Sequence, residues 1–239
     1  MTFDLKSESE VKEYLNNLGI EYRFGCYSEK NPEVCHLLGD FLEAIKKDFE
    51  KAAKVYKNNC DEFKFGKSCT KYGNYNILNK GIKNGNYKTA YEYYNKGCEL
   101  GDPQSCFHQG MLLVSQNEEQ GVPYDISKGM ECLSKSCDGS KAMACFYLSA
   151  QYILQARKLT EQSPSADSNK VMQQAFKYAL RACELGNPFS CANVSQMYAK
   201  GEGVEKNQEL ADKYKTKAKD MEKDINSTKS LEFEIGIPP

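Results

Sequence analysis

The chain has 239 residues, a formal net charge of −1, 11 cysteines and no tryptophan. The chain has no excess of basic residues that would attract nucleic acids or anionic lipids, so we expect neither as a partner. No apolar run approaches the roughly 20 residues that a membrane-spanning helix needs. The first ten residues are acidic and contain no long apolar stretch, so we expect neither a secretory signal nor a cleaved mitochondrial presequence.

Ten of the cysteines form five pairs along the chain, and the members of each pair lie eight or nine positions apart. The segment Cys-Glu-Leu-Gly-Asp-Pro-Gln-Ser-Cys, which spans the third pair, is repeated nearly letter for letter at the fifth. The pairs are Cys26 and Cys35, Cys60 and Cys69, Cys98 and Cys106, Cys137 and Cys145, and Cys183 and Cys191.

The residues between the paired cysteines predict a break between two helices. On one straight helix, cysteines eight positions apart would lie roughly 12 Å apart, too far for a disulfide bond. Gly101, however, suits the left-handed position after a helix C-terminus, Asp102 suits an N-cap, and Pro103 suits the first position of the next helix. The copy at 183–191 carries Gly, Asn and Pro at the same positions. We therefore predict a disulfide at a corner between two helices for each pair.

Five disulfides conflict with the expected lack of a secretory signal, because disulfides are rare in the cytosol. Three explanations stay open: a signal that is missing from this sequence, cysteines that are reduced or bind metal, or a signal-independent route to an oxidising compartment. Structural zinc sites favour cysteines two to four residues apart, and the sequence contains no Cys-x-x-Cys. Zinc is therefore the weakest explanation, and we expect no metal site.

The spacing of the pairs predicts a repeat protein. The first cysteines, at 26, 60, 98, 137 and 183, are separated by 34, 38, 39 and 46 residues. Two helices in each interval of this length are typical of an α-solenoid. We predict a polar lead and capping helix over 1–30, five repeats over 31–222, and a flexible C-terminal tail over 223–239. The repeats are assigned to 31–60, 66–98, 103–137, 140–183 and 188–222.

Small residues recur in register with the cysteines, which predicts close helix packing inside each repeat. Four residues after each second cysteine stand Gly39, Gly73, Gly110, Ser149 and Ser195. Eight residues before the first cysteine of the last four pairs stand Ala52, Ala90, Gly129 and Ala175. Two insertions, Ser115–Asp125 and Leu159–Lys170, are compatible with partner-contact loops and equally with tolerated surface variation.

Two segments of the chain resemble a known family of repeats. The segment Tyr198–Val204, followed by Ala211 and Tyr214, resembles the Sel1-like repeat, and so does Gly121–Gly129. The paired cysteines narrow the resemblance to the cysteine-rich Sel1 group, over residues 10–222. The resemblance implies an all-α fold, a right-handed α/α solenoid of Sel1-like helix pairs stapled by disulfides.

Two branches of this group imply different functions. One consists of secreted bacterial proteins linked to penicillin binding and weak β-lactamase activity. The other consists of animal mitochondrial proteins that assist the assembly of cytochrome c oxidase. The mitochondrial branch is the closer match, because it shares the length of the chain and segments similar to 24–32, 49–55, 182–186 and 191–198.

The mitochondrial branch implies residence in the intermembrane space, which is reached by oxidative import and would reconcile the cysteines with the lack of a signal. We accordingly expect a monomeric assembly factor for respiratory-chain complexes. Its expected partners are respiratory-chain assembly proteins or copper chaperones. Haem binding and reduction of copper-chaperone thiols are the activities that the resemblance implies.

Three residues are candidates for chemistry. Cys132 is the odd cysteine, and it is a candidate redox thiol that would attack a disulfide of a partner or of Cys137. The alternative is a buried, inert cysteine. The histidines are His36 and His108, and the resemblance implies haem ligation in the third repeat, where His108 is the candidate ligand. The alternative is a histidine near a helix start with no ligand.

The pattern Ser-x-x-Lys occurs at 9–12 and 68–71, but the Ser-Asp-Asn and Lys-Thr-Gly motifs of β-lactamases do not accompany it. We therefore assign no catalytic residue and favour a non-catalytic scaffold. If the chain is an enzyme, a thiol–disulfide oxidoreductase is the better prediction than a hydrolase. A secreted penicillin-binding or weakly β-lactamase-active protein is the alternative function.

Overall fold

The computed structural model describes residues 7–115, 121–162 and 166–234, and these ranges contain eleven α-helices and no β-strand. The prediction of an all-α fold is thereby confirmed. The helices are α1 (Glu8–Tyr27), α2 (Pro32–Ala44), α3 (Phe49–Asp61), α4 (Gly66–Leu78), α5 (Tyr87–Glu99), α6 (Pro103–Val114), α7 (Ile126–Asp138), α8 (Ala142–Gln162), α9 (Ala166–Glu184), α10 (Pro188–Lys200) and α11 (Gln208–Glu234).

The chain divides into two compact units, residues 1–129 and 130–239, with the boundary inside α7. In the first unit, each helix from α1 to α5 packs on the next helix along the chain. In the second unit, α8 to α11 pack in the same consecutive way. Packing of each helix on its neighbours in sequence is the arrangement of solenoid repeats, in which each repeat contacts only the adjacent ones.

The five predicted repeats contain the helix pairs α2–α3, α4–α5, α6–α7, α8–α9 and α10–α11, and α1 precedes them. The flexible tail over 223–239 stays a prediction, because α11 continues to Glu234 and residues 235–239 lie outside the described ranges. Each of the two insertions also includes residues outside those ranges, 116–120 and 163–165. Among the described residues, no helix is both long and apolar enough to cross a membrane.

Three of the five helices that follow a disulfide corner, α2, α6 and α10, begin with the predicted N-cap and proline. Asn31, Asp102 and Asn187 are N-caps, and each side chain accepts hydrogen bonds from backbone N–H groups of the first turn. A proline occupies the first turn in all three cases, where its missing N–H has no partner to lose. Gly101 and Gly186 have φ values of +81° and +94°, the left-handed conformation that reverses the chain after α5 and α9.

Small residues allow the two helices of a repeat to approach closely, as predicted. A Cβ atom on Gly39 of α2 would overlap the ring of Tyr56 in α3. In the second unit, the Ser149 hydroxyl donates a hydrogen bond of 2.8 Å to the carbonyl oxygen of Ala175. A serine therefore tolerates the same close contact where its hydroxyl finds a backbone acceptor on the facing helix.

Aromatic side chains fill the space between the helices of the first unit. Tyr56 and Tyr75 are both buried, with ring centroids 5.6 Å apart in an edge-to-face arrangement. Tyr72 and Tyr93 form a second edge-to-face pair at 4.4 Å. Such pairs stabilise a core by about 1 kcal/mol beyond the burial of their area. These four tyrosines therefore contribute to the packing between α3, α4 and α5.

We expect Gly39→Ala to destabilise the chain by about 1–3 kcal/mol, because the added methyl group would overlap a ring that cannot move aside. Tyr56 is fully buried, and its hydroxyl donates to Asp40 at 2.6 Å. Denaturant unfolding with the disulfides intact measures the change. Leu37→Ala, at a 43% exposed position of the same helix, is the control, with an expected change within about 0.5 kcal/mol. Equal effects of both substitutions would contradict the packing argument.

Candidate functional site

Each of the five predicted cysteine pairs lies at bonding distance at a corner between an odd-numbered helix and the even-numbered helix that follows it. All Cα–Cα distances fall in the range that a disulfide requires. They are 4.5 Å for Cys26–Cys35, 4.9 Å for Cys60–Cys69, 4.5 Å for Cys98–Cys106, 4.8 Å for Cys137–Cys145 and 4.6 Å for Cys183–Cys191. Four of the bonds therefore link successive predicted repeats, and Cys26–Cys35 links α1 to the first of them.

The disulfides are buried, since each of the ten cysteines is at most 9% exposed. Closing a loop of this length lowers the conformational entropy of the unfolded chain, which stabilises the folded chain by at most about 2.5 kcal/mol for each bond. In the residues that the structure describes, no group of three or more His, Cys, Asp or Glu side chains could hold a metal ion. The cysteines thus act here as covalent links between helices.

A buried hydrogen-bond network lies beside the second corner. The Ser68 hydroxyl is 2.9 Å from Nδ1 of His36 and accepts a hydrogen bond of 2.7 Å from the Asn59 side chain. Asn59 also donates to the carbonyl oxygen of Pro32 at 2.9 Å. Burial lowers the pKa of His36, which favours the neutral ring at pH 7. The network joins α2, α3 and α4, and sequence patterns gave no signal for it.

This network bears on the Ser-x-x-Lys pattern at 68–71. A nucleophilic serine must reach its substrate, but Ser68 is fully buried and its hydroxyl is already bonded. The Lys71 ammonium lies 2.9 Å from Glu43 and 3.0 Å from Asp40, so it is committed to ion pairs. The geometry therefore gives the pattern at 68–71 a structural role.

A charged cluster connects α2 with α4 and with the residues that follow α4 in the first unit. Glu43 accepts hydrogen bonds from Lys71 at 2.9 Å and from Lys80 at 2.7 Å. Burial alone would raise the pKa of Glu43, but the two lysine hydrogen bonds outweigh it and lower the pKa to about 2. Asp61 forms a similar cluster with Lys57 and Lys96, and its pKa is also lowered to about 2 despite burial.

Cys132 lies in α7 and is 4% exposed, so the protein covers this thiol from solvent. A thiol that exchanges with a partner's disulfide must be accessible to it. The redox role of Cys132 stays a prediction, and the burial agrees better with the alternative of an inert core residue. Access would require a local opening of α7.

The role of His108 as a haem ligand stays a prediction, and the contacts of its ring give that role no support. Its ring is stacked on Tyr94 with centroids 4.9 Å apart, and Nε2 lies 2.9 Å from the side-chain nitrogen of Gln104. An axial ligand must direct a ring nitrogen at the iron with an open space for the macrocycle beyond it. His36 is no better placed, since Nδ1 is bonded to Ser68 and Nε2 lies 3.7 Å from Asp40.

The fold and its corners define a class of protein. Five segments match the Sel1 repeat, at residues 13–54, 66–102, 108–141, 142–187 and 188–221. The chain therefore belongs to the Sel1 repeat family. A crystal structure of a Sel1 repeat protein from Oxalobacter formigenes has a TM-score of 0.65 to this chain at 20% identity, covering 87% of this chain and 82% of that one. That likeness concerns the fold alone.

Relatives from animals resemble the chain over almost its whole length. It is 49% identical to the cytochrome c oxidase assembly factor 7 homolog of Drosophila melanogaster, which covers 100% of both chains. It is 41% identical to cytochrome c oxidase assembly factor 7 of Xenopus tropicalis, over 91% of each chain. The Homo sapiens protein of that name is 36% identical, over 92% of this chain and 93% of its own. The resemblance inferred from the sequence is thus confirmed.

We expect thiol titration to find one reactive thiol in the denatured, unreduced chain and a much slower reaction in the native chain. The reason is that ten cysteines are bonded and Cys132 is buried. An aromatic disulfide reagent, with and without denaturant, provides the measurement. Cys132→Ala is the control and should give no reactive thiol in either state. A rapid native reaction would show that this thiol is accessible.

We expect acid to weaken the Glu43 cluster. Because the pKa of Glu43 is lower in the folded than in the unfolded chain, its stabilisation is complete above about pH 5 and is lost as the pH falls toward about 2. After a discount for partial exposure, Glu43→Gln should reduce the difference in unfolding free energy between about pH 7 and about pH 3 by on the order of 1 kcal/mol.

Denaturant titrations at the two pH values measure this change. Glu50→Gln, at an exposed position in the first turn of α3, is the matched control and should leave the difference as it is. An identical pH dependence in wild type and Glu43→Gln would show that the lysine contacts of Glu43 do not contribute to stability.

Proposed function

We propose that this chain is an assembly factor for cytochrome c oxidase in the mitochondrial intermembrane space, acting as a disulfide-stapled repeat scaffold. The single observation that carries the proposal is the 49% identity, over the whole of both chains, to a protein named as a cytochrome c oxidase assembly factor 7 homolog. Relatives of the same name at lower identity, such as the Homo sapiens protein, match over nine-tenths of the chain.

The cysteine arrangement supports the compartment that we propose. Buried, local disulfides at every corner need an oxidising environment to form, and the intermembrane space supplies one through its import relay. A signal-independent route was one of the explanations that the sequence left open. The proposed location accommodates the five disulfides.

Scaffolding is the favoured mode of action, and the partners that we propose are respiratory-chain assembly proteins or copper chaperones. Solenoids bind partners on the extended surfaces of stacked repeats. The burial of Cys132 and the stacking of His108 on Tyr94 give no support to thiol exchange or haem binding by the conformation described. Those two activities remain predictions that need their own assays.

We expect cells depleted of this protein to accumulate less assembled cytochrome c oxidase, because the scaffold would hold assembly intermediates together. Native gels and the rate of cytochrome c oxidation measure the loss, and the amount of ATP synthase is the control. Wild type and Cys132→Ser should both restore the enzyme if the chain is a scaffold. Rescue by wild type but not by Cys132→Ser would favour thiol exchange instead.

The same cells test the compartment. A tagged wild-type chain should become sensitive to protease only after the outer mitochondrial membrane is ruptured, and it should be oxidised at its ten paired cysteines. Normal amounts of assembled oxidase in depleted cells would refute the assembly role. Protease sensitivity in intact mitochondria, or its absence after rupture, would refute the location.

A further inference from the structure

Three large apolar side chains lie exposed on one face of α1. Ile20, Phe24 and Tyr27 are 61%, 59% and 63% exposed. They stand at positions i, i+4 and i+7, so they form a continuous stripe along the helix. We call these three residues the α1 stripe. A large apolar stripe in water is unfavourable unless another surface covers it.

The register of the disulfides shows that the α1 stripe is unusual for this chain. Its residues lie six and two positions before Cys26 and one position after it. The same three positions relative to the first cysteine of the other pairs hold one asparagine and eleven charged residues. They are Lys54, Asn58 and Asp61 in α3, Glu92, Lys96 and Glu99 in α5, Glu131, Lys135 and Asp138 in α7, and Lys177, Arg181 and Glu184 in α9.

The α1 stripe is not repeat core that lies uncovered at the start of the array. The equivalent residues of α5, Glu92, Lys96 and Glu99, are exposed even though α5 packs on a helix on each side, α4 and α6. The position that does face neighbouring helices, four before the cysteine, is Tyr22 in α1, and its ring packs against Phe41. The α1 stripe therefore lies on the outer surface, where the other repeats are charged.

A recess adjoins the C-terminal end of the stripe and shares Tyr27 with it. Its volume is about 290 Å³, and its apolar lining includes the Cys26–Cys35 disulfide, Val55 and Phe63. The stripe and the recess thus form one continuous apolar surface. We call the recess the corner pocket.

The corner pocket has a positive rim. Lys30, Lys51 and Lys54 line it, against one carboxylate, Glu62. Lys51 is paired with Asp48 at 2.7 Å. Lys30 and Lys54 form no ion pair within the part of the chain that the structure describes, so two ammonium groups are available to a ligand. An acidic group that enters the pocket would gain charge-assisted hydrogen bonds next to an apolar surface.

We propose that the α1 stripe and the corner pocket together dock an amphipathic helix of a partner protein. The apolar side of that helix lies along Ile20, Phe24 and Tyr27, in the seam that two packed helices form. An acidic side chain at one end of it enters the corner pocket, between Lys30 and Lys54. The docking surface adds to the proposed scaffold role the place where a partner binds and the chemistry of that partner. The docking proposal rests on the scaffold role only for the identity of the partner.

The residues of the other repeats provide a variant that should fold normally. Replacing Ile20 by Glu, Phe24 by Lys and Tyr27 by Glu gives α1 the side chains that α5 carries at the same positions, Glu92, Lys96 and Glu99. The thermal midpoint of this triple variant should equal that of the wild type, because the replaced side chains are not part of the core. Lys177→Glu, at the Ile20 position of α9, is the matched control.

The binding probe is a synthetic amphipathic helical peptide with leucines spaced four and three residues apart and two glutamates at one end. A second peptide carries two lysines in place of the glutamates. By fluorescence anisotropy, the wild type and Lys177→Glu should bind the glutamate peptide more tightly than the lysine peptide. The triple variant should bind it about tenfold more weakly or worse, and Lys30→Glu with Lys54→Glu should reverse the charge preference.

Four results would overturn the proposal. The first is equal binding of the peptide by wild type and the folded triple variant, and the second is no binding of the glutamate peptide. The third is a concentration-dependent dimer that the triple variant abolishes, which would assign the stripe to a second copy. The fourth is binding to anionic vesicles that the triple variant abolishes. The peptide assay needs no cytochrome c oxidase. A negative peptide result therefore does not contradict the assembly role, which the cell experiment tests. A negative cell experiment likewise does not contradict the docking surface, which the peptide assay tests.

Discussion

The buried disulfide at each reversal of the chain is the constraint on which the rest of this structure depends. It brings the end of one helix and the start of the next within 5 Å at the Cα atoms, as at Cys98–Cys106. The local sequence prepares this geometry, because a left-handed glycine ends the first helix and an Asp-Pro pair starts the second. Since four of the bonds connect successive predicted repeats, they fix the interfaces that a repeat protein otherwise holds by packing alone.

Around these bonds the interior contains buried polar side chains, among them Asn59, Ser68 and Thr70. The network of His36, Ser68 and Asn59 is buried beside a corner, and Thr70 hydrogen-bonds to both Asp102 and Ser105 between the next helices. A buried polar group costs free energy when its hydrogen bonds are not made, and a small displacement would break the bonds of these networks. At the first of these networks, the Cys60–Cys69 bond links α3 and α4, the helices that carry Asn59 and Ser68.

Much of this architecture could be predicted from the sequence because its determinants are local. The spacing of the cysteines, the glycine after α5 and the caps at Asn31 and Asp102 each act within a few residues. The cluster of Glu43 with Lys71 and Lys80 could not be predicted, because its members come from different helices and share no motif. The α1 stripe could be predicted from the sequence only in part. Aligning the helices on their cysteines reveals it, but only the exposure of Phe24 shows that it faces outward.

The separation of only eight or nine residues within each cysteine pair has a consequence for how the molecule matures. Every cross-link can close as soon as two adjacent helices exist, without contact between distant parts of the polypeptide. An oxidant that meets one end of the chain first can therefore lock the reversals one after another, in the order in which they emerge. Each closed link keeps its reversal folded before the later helices have formed, so the array can be completed one reversal at a time.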